Sequence, residues 1–276
     1  MTVAESGKAL REILKNTNGS RILVPTMGAL HEGHLELIRK ARTLAGANGI
    51  VIVSIFVNPI QFDRAADLAA YPRPMETDLA ACEAEGVDVV FAPEAGSMYF
   101  PDRSVTVTEA LLSAGLCGAT RPGHFDGVCT VVLKLFLLSG CDAAVFGEKD
   151  FQQLAVIRRM VRDLDVPVEI VECPTVREPD GLAMSSRNVR LSPEQRSDAP
   201  RIQRSLQAAV KQKEVTSILE TARAGIEESP LARIDYLSLV DAETLQPVAD
   251  LARPAVLATA VFYGEVRLID HVIVSE

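Results

Sequence analysis

Near the start of the chain, an apolar run is followed by a polar stretch and then by apolar residues at helical spacing. The run ILVP predicts a short buried strand, and Leu35, Ile38 and Ala41 then recur about one helical turn apart. The polar stretch between them contains a glycine turn and two histidines, His31 and His34, which belong to the first turn of the helix or just before it. This order is typical of sites where α/β proteins hold phosphates.

Strand and helix patterns continue to alternate up to about residue 174. The strands are continuous apolar runs, which indicates a parallel sheet covered by helices on both faces. The patterns predict strands at 22–25, 50–57, 87–93, 143–147 and 168–174, and helices at 35–45, 75–86, 127–138 and 150–164.

After residue 176 the pattern changes to two helices, at 192–212 and 215–229, followed by three strands, at 234–241, 255–263 and 266–274. This succession predicts a smaller α+β domain. We therefore predict an α/β protein in which residues 1–176 form a Rossmann-like domain that binds nucleotide and substrate. Residues 177–276 would form a lid over its cleft.

Composition narrows the choice of partners and compartment. The chain has 276 residues and a net charge of -9, which argues against a surface built for DNA or RNA, although a local anion pocket needs only a few donors. The five cysteines are scattered without a CxxC pair, which favours a reduced cytosol. The apolar run at 50–57 is too short to cross a bilayer, and we find no secretory signal.

Polar clusters follow three of the predicted strands. Thr26 to Gly28 follow the first, Asn58 to Gln61 the second, and Gly147 to Asp150 a later one. Because ligands of open parallel sheets bind beyond the carboxyl ends of the strands, where the strand order switches, we expect these clusters to form a site.

The two histidines admit three interpretations. They could cap or pack against the helix, and they could bind zinc, although no HExxH spacing or ligand cluster supports zinc. In the third interpretation H-x-G-H is a nucleoside triphosphate site, where Gly33 allows close approach and the imidazoles donate to phosphate oxygens.

The other clusters are each ambiguous alone. Lys149 in GEKD suits phosphate, but Asp150 also suits a helix cap. The MSSRN stretch, 184–188, lies in a segment of polar residues with one proline and one glycine, which predicts a mobile loop, and its two serines and arginine could bind phosphate. The amides of Asn58, Gln61 and Gln153 suit a hydroxylated substrate, while TRPGHFDGV, 120–128, is either a substrate loop or a turn before a core helix.

Taken together, PTMGALHEGH, FVNPIQF, RPGHFDGV, FGEKDFQQL and DGLAMSSRN, in this order and spacing, resemble the pantothenate synthetase family. The match is dense from about residue 20 to 195. H-x-G-H alone indicates only the wider nucleotidyltransferase superfamily, whereas the combination is specific. In the stretch 184–188, SSR stands in place of the lysines of a KMSKS-type loop. Cys117 stands where some members of the family carry a glutamate.

The resemblance implies an enzyme that joins (R)-pantoate to β-alanine through pantoyl adenylate, with ATP as substrate and Mg²⁺ held mainly by ATP and not by protein ligands. It implies a catalytic role for His34, with His31 beside it, and for Lys149, Ser185, Ser186 and Arg187 on the phosphates. The implied ATP-binding residues are Pro25, Thr26, Met27, Gly28, Ala29, Leu30, His31, Glu32, Gly33, His34, Gly147, Glu148, Lys149, Asp150, Val176, Met184, Ser185, Ser186 and Arg187. The implied substrate-binding residues are Gln61, Gln153, Asn58 and Tyr71.

The resemblance also implies a homodimer of the coenzyme A pathway. From the composition we expect the enzyme to be cytoplasmic and to bind neither nucleic acid nor membrane. Two alternatives stay open from the residues alone. One is another H-x-G-H adenylyltransferase, although a phosphorylated acceptor would favour basic residues where this chain has Asn58, Gln61 and Asp63. The other is an ATP-binding paralogue that has lost catalysis.

Overall fold

A computed structural model describes residues 1–15 and 17–274, which fold into two compact units. The predicted boundary at residue 176 lies close to the junction between Pro174 and Thr175, and two short inserts of the chain also belong to the second unit. The assignment of residue 176 as the boundary and of the second domain as a lid stay predictions. The first unit comprises Met1–Glu109, Pro122–Glu148 and Val156–Pro174, and the second comprises Ala110–Arg121, Lys149–Ala155 and Thr175–Glu276.

The first unit is built on a parallel sheet, as predicted. Within the described residues this sheet has six strands in the order β1-β4-β3-β2-β5-β6, and all neighbouring strands are parallel. Side chains from both central strands are fully buried, including Val24 and Val53. The strands are β1 Thr2–Ala4, β2 Arg21–Thr26, β3 Ile50–Ile55, β4 Val89–Phe91, β5 Ala143–Gly147 and β6 Glu169–Cys173.

The long helices also lie where the periodicity predicts them, within a few residues. The patterns predict neither β1 nor the short helices α1, α3, α5 and α6, because such segments are too short to show a period. The helices are α1 Gly7–Leu14, α2 Glu32–Ala45, α3 Ala65–Ala69, α4 Met75–Ala84, α5 Ala95–Met98, α6 Leu116–Thr120, α7 His124–Ser139, α8 Phe151–Asp163, α9 Pro193–Asp198, α10 Arg201–Ala209 and α11 Val215–Glu227.

The second unit contains an antiparallel sheet of strands β7 Ala232–Asp241, β8 Ala255–Tyr263 and β9 Val266–Val274, in that order. Its core is formed by buried residues of α10 and α11, such as Leu206 and Ile218, together with Leu257 of β8. The α+β prediction is therefore confirmed. The single helix predicted at 192–212 is wrong, because Pro200 has no backbone N–H to continue the helical hydrogen bonds and separates α9 from α10.

In the described part of the chain, every helix is too short or too polar to span a membrane. All five cysteines are buried and free of disulfides. Burial raises the pKa of the Cys82 and Cys129 thiols to about 12 and that of Cys141 to about 11, so these three groups stay protonated near neutral pH.

Candidate active site

The strand order places the first predicted cluster and the start of the third at one point of the sheet. From β2 the chain continues to β3 and β4 on one side, whereas β5 and β6 lie on the other side, so the strand order reverses between β2 and β5. These neighbouring strands end at Thr26 and Gly147. The H-x-G-H segment, residues 27–34, follows β2, and the GEKD segment, residues 147–150, begins with the last residue of β5. This is the switch point at which parallel sheets bind ligands.

A buried carboxylate holds the turn that follows β2. Asp78 of α4 accepts a hydrogen bond from the backbone N–H of Ala29 and another from that of Leu30, both at 2.8 Å, and it is only 1% exposed. Gly28 has a φ of +78°, and a Cβ atom there would lie 2.9 Å from Asp78 Oδ2. The Gly28 N–H in turn donates to Thr26 Oγ1 at 3.1 Å. No local pattern in the sequence indicates a role for Asp78, because Asp78 lies far from the turn along the chain.

The two histidines form the N-terminus of α2. His31 is the extended N-cap residue and His34 the third helical residue, and their ring centroids lie 4.1 Å apart. The Nδ1 atom of His34 accepts a hydrogen bond from the His31 backbone N–H at 3.3 Å. An imidazole that accepts through Nδ1 carries its proton on Nε2 when neutral. His34 therefore offers an Nε2–H donor beside the outward-pointing N–H groups of the first helical turn.

The amide cluster after β3 contacts the H-x-G-H segment. Gln61 Nε2 lies 3.2 Å from the sulfur of Met27, and Gln61 Oε1 accepts from Asn58 Nδ2 at 2.8 Å. Asn58 Nδ2 also donates to the carbonyl of Gly127 at 3.1 Å, and Asn58 is 1% exposed. Tyr71 is buried and contacts Phe62 edge to face. The structure thus brings Met27, Asn58 and Gln61 together.

The RPGHFDGV stretch is a structural support and the start of α7, which begins at His124, earlier than predicted. His124 is buried, and its Nδ1 atom lies 2.8 Å from the carbonyl oxygen of Gln61. A Cβ atom at Gly127 would lie 2.6 Å from the carbonyl oxygen of Ile60, so only glycine allows the helix to approach the turn this closely. This stretch therefore fixes the backbone that carries Gln61.

In the second unit, the residues in and after GEKD differ in burial and in their contacts. Gln152 is buried, and its amide bonds the backbone of Leu112, Gly115 and Cys117. Its neighbour Gln153 is half-buried, and the substrate role of Gln153 stays a prediction. The Nζ atom of Lys149 lies 3.7 Å from the carboxylate of Asp150.

The MSSR segment is attached to the sheet of the second unit by an ion pair. Arg177 makes two hydrogen bonds to the Asp270 carboxylate, at 2.7 and 2.9 Å, and donates to the carbonyl of Gly181 at 3.1 Å.

The residues from Val176 to Met184 form a turn. The turn closes where the Met184 N–H donates to the Val176 carbonyl at 3.0 Å. Val176 and Met184 are thus brought together, and the Arg187 N–H reaches Ser185 Oγ at 3.2 Å.

Two residues without a predicted role have structural contacts in the second unit. Cys117 Sγ lies 3.4 Å from the hydroxyl of Tyr236 and 3.6 Å from Arg267 Nη1. Arg267 also forms an ion pair with Asp235 at 2.8 Å.

His271 packs on Phe151 with ring centroids 5.1 Å apart, and burial lowers the pKa of the His271 imidazole. These contacts resemble core packing more than a binding site.

The described residues contain no group of three or more His, Cys, Asp or Glu side chains arranged as metal ligands. Each unit thus assembles part of the predicted site: the first holds the H-x-G-H segment with Asn58 and Gln61, and the second holds Val176 with the MSSR segment. That both parts act on one ATP molecule stays a prediction.

Comparisons with known proteins point to one family. The family profile described as Pantoate-beta-alanine ligase matches residues 2–273. The pantothenate synthetase of Akkermansia muciniphila is 55% identical over 255 residues, covering 91% of each protein, and that of Thermotoga neapolitana is 48% identical over 276 residues, covering 98% of each.

Solved structures agree. The crystal structure of pantothenate synthetase from Thermus thermophilus matches with a TM-score of 0.94 and 45% identity over 100% of both chains. The pantoate-beta-alanine ligase of Francisella tularensis, crystallised with beta-gamma ATP and beta-alanine, matches with a TM-score of 0.83 and 33% identity, covering 99% of this chain and 97% of that one.

Asp78→Asn is expected to lower the free energy of unfolding by about 2–3 kcal/mol, because the asparagine NH₂ would face a backbone N–H that now meets a carboxylate oxygen. Urea unfolding measures this loss, and hydrogen exchange should accelerate at the Ala29 and Leu30 amides. Asp163→Asn is the control, since its carboxylate is 52% exposed. Equal losses in the two variants would contradict the anchoring role of Asp78.

Arg177→Lys is expected to open the turn between Val176 and Met184, because an ammonium group cannot make the two parallel hydrogen bonds to Asp270. We expect amide exchange at Glu178 and Met184 to rise by about tenfold or more. Arg253→Lys, at a position 62% exposed, should leave both rates unchanged. Unchanged exchange in Arg177→Lys would show that the ion pair does not hold the turn.

Proposed function

Because the chain belongs to the pantoate-beta-alanine ligase family, we propose that it condenses (R)-pantoate with β-alanine to pantothenate at the expense of ATP. The family membership confirms the resemblance drawn from the motifs and does not favour either alternative function. The observation that carries the proposal is the pair of histidines at the N-terminus of α2, directly beyond the switch point of the sheet.

The reaction has two steps. The pantoate carboxylate attacks the α-phosphorus of ATP, and the bond to pyrophosphate breaks, which gives pantoyl adenylate. The β-alanine amine then attacks the acyl carbon, loses a proton and displaces AMP. The first step brings two anions together, the pantoate carboxylate and the triphosphate. The site must therefore offset their negative charge while it orients the reactants.

We assign charge neutralisation to the residues for which the family resemblance implies a role on the phosphates. The Nε2–H of His34 and the outward-pointing N–H groups at the start of α2 would bind the triphosphate, with His31 beside them. Lys149, Ser185, Ser186 and Arg187 would supply the remaining donors. Lys149 carries a compact charge suited to phosphate, and Arg187 a guanidinium suited to two phosphate oxygens.

The neutral amides of Gln61 and Gln153 would hold pantoate, since an amide can orient hydroxyl and carboxylate oxygens without attacking an acyl phosphate. Mg²⁺ bound to the ATP phosphates would offset their charge. By likeness to the family, we assign the coordination of Mg²⁺ mainly to the nucleotide.

The cellular setting of the enzyme is part of the proposal. We place the chain in the cytoplasm, in keeping with five free, buried cysteines, and we propose a homodimer by likeness to the family. Neither nucleic acid nor membrane is proposed as a partner.

Incubation with ATP, pantoate and β-alanine should release AMP only when both acids are present, and pantoate alone should support exchange of labelled pyrophosphate into ATP. AMP release with a different acceptor, or pyrophosphate exchange without pantoate, would overturn the function. A silent paralogue would give neither signal.

Two substitutions at His34 separate its donor from its contact with His31. Asparagine retains an acceptor near the Nδ1 position but lacks a group near Nε2, whereas glutamine can carry an N–H close to Nε2. We expect His34→Asn to lower pantoate-dependent pyrophosphate exchange by about 100-fold or more, and His34→Gln to lose distinctly less. Near-normal exchange in His34→Asn would refute the donor role.

A further inference from the structure

The amide of Asn58 has only one orientation that satisfies its neighbours. Its Nδ2 atom lies 3.1 Å from the carbonyl oxygen of Gly127, which can only accept a hydrogen bond. The nitrogen of Asn58 must therefore face Gly127, and its second N–H points to Gln61 at 2.8 Å. The Gln61 atom that meets this donor must be the acceptor, Oε1. The orientation of one buried amide thus determines the orientation of the next.

Tyr99, which directly follows α5, completes this arrangement. Its hydroxyl lies 2.8 Å from Asn58 Oδ1, and because that oxygen can only accept, the hydroxyl donates. The Tyr99 ring packs near Phe56, with centroids 6.1 Å apart, and the Lys134 ammonium lies 5.6 Å from the ring centroid. Burial raises the pKa of the Tyr99 phenol, so the group stays a donor at neutral pH.

The far end of the arrangement is the Gln61 amide nitrogen. Nε2 faces the Met27 thioether at 3.2 Å, on the segment that follows β2. Thioether sulfur is a weak acceptor, so a carboxylate or hydroxyl oxygen of a substrate would displace it readily. The Gln61 backbone is held separately, by His124 at its carbonyl oxygen. The hydrogen bond from Asn58 thus determines which of the two Gln61 amide atoms faces Asn58.

We propose that Tyr99 is a positioning residue which, through Asn58, holds the Gln61 amide with its N–H groups toward bound pantoate. Gln61 then selects an oxygen acceptor of the substrate and does not bind the ammonium group of β-alanine. Tyr99 itself touches no reacting atom. The inference rests on the proposed function, since it takes pantoate as the ligand of Gln61. It also assigns Asn58 a positioning role in place of direct substrate contact.

Tyr99→Phe leaves Asn58 Oδ1 buried without its donor, so the orientation of both amides is less strongly favoured. We expect kcat/KM for pantoate in pyrophosphate exchange to fall by about five- to tenfold, with KM for ATP unchanged. The matched control is Tyr263→Phe, which also removes a tyrosine hydroxyl bonded to a polar side chain, Asp198 at 2.9 Å, in the second unit. It should lower stability and leave kcat/KM for pantoate unchanged.

A double-mutant cycle with Gln61→Ala tests whether Tyr99 acts through Gln61. If it does, Tyr99→Phe should reduce kcat/KM for pantoate several-fold in the native background and by less than about twofold in Gln61→Ala. An equal reduction in both backgrounds, or none in the native one, would overturn the proposal and leave the function intact. If Gln61→Ala does not change kcat/KM for pantoate, the assignment of Gln61 to pantoate is wrong, and the proposal falls with it.

Should Tyr99→Phe fail to fold, Asn58→Asp carries the same test. An ionised aspartate cannot donate to Gln61 Oε1, so the Gln61 amide would turn its nitrogen inward and present its carbonyl to pantoate. We expect a larger fall in kcat/KM for pantoate than in Tyr99→Phe, again suppressed by Gln61→Ala. A folded Asn58→Asp with unchanged kcat/KM for pantoate would overturn the proposal.

Discussion

The candidate site depends first on the turn that leaves β2. Within a few residues the chain must pass from the sheet to a helix whose N-terminus faces the ligand, and this requires a positive φ at Gly28 and at Ala29. Such a turn leaves backbone N–H groups without strand or helix partners, and Asp78 accepts two of them. This buried carboxylate lies on α4, whereas His31 and His34 lie at the start of α2. The position of the two histidines therefore depends on a contact with a different helix.

The sequence predicts those parts of the fold that repeat with a period or occur as a motif. The parallel sheet and the long helices were evident because continuous apolar strands and helical spacing extend over many residues, and the H-x-G-H segment was placed correctly at a helix start. Short elements such as α1 and α5 carry too few residues to show a period. The helical spacing on both sides of Pro200 predicts one helix, whereas the chemistry of proline, which has no backbone N–H, separates α9 from α10.

Supporting residues were harder to predict, for a physical reason. Asp78, His124 and Asp270 act through contacts with partners distant in sequence, and no local pattern reports such a contact. His124 lies in a recognisable motif, yet the motif does not reveal that its imidazole binds the backbone of Gln61. The amide of Asn58 was predicted as a substrate group, whereas its hydrogen bonds within the protein engage both its N–H groups and its oxygen. Polarity at a strand end indicates a site, but only the hydrogen-bond partners separate ligand-binding groups from supports.

The choice of donors matches the reactivity of an acyl adenylate. Such an intermediate acylates any good nucleophile nearby, and so a site rich in thiolates or neutral amines would modify itself. In this chain, burial keeps the thiols of Cys82 and Cys129 protonated through a pKa of about 12, and the candidate pantoate ligands are amides, which are poor nucleophiles. An amide, however, can turn over and exchange its donor for its acceptor, which a charged group cannot do. A site that binds its substrate through amides therefore needs a second layer of directional hydrogen bonds, and the acceptor-only carbonyl of Gly127 provides the fixed end from which that layer is built.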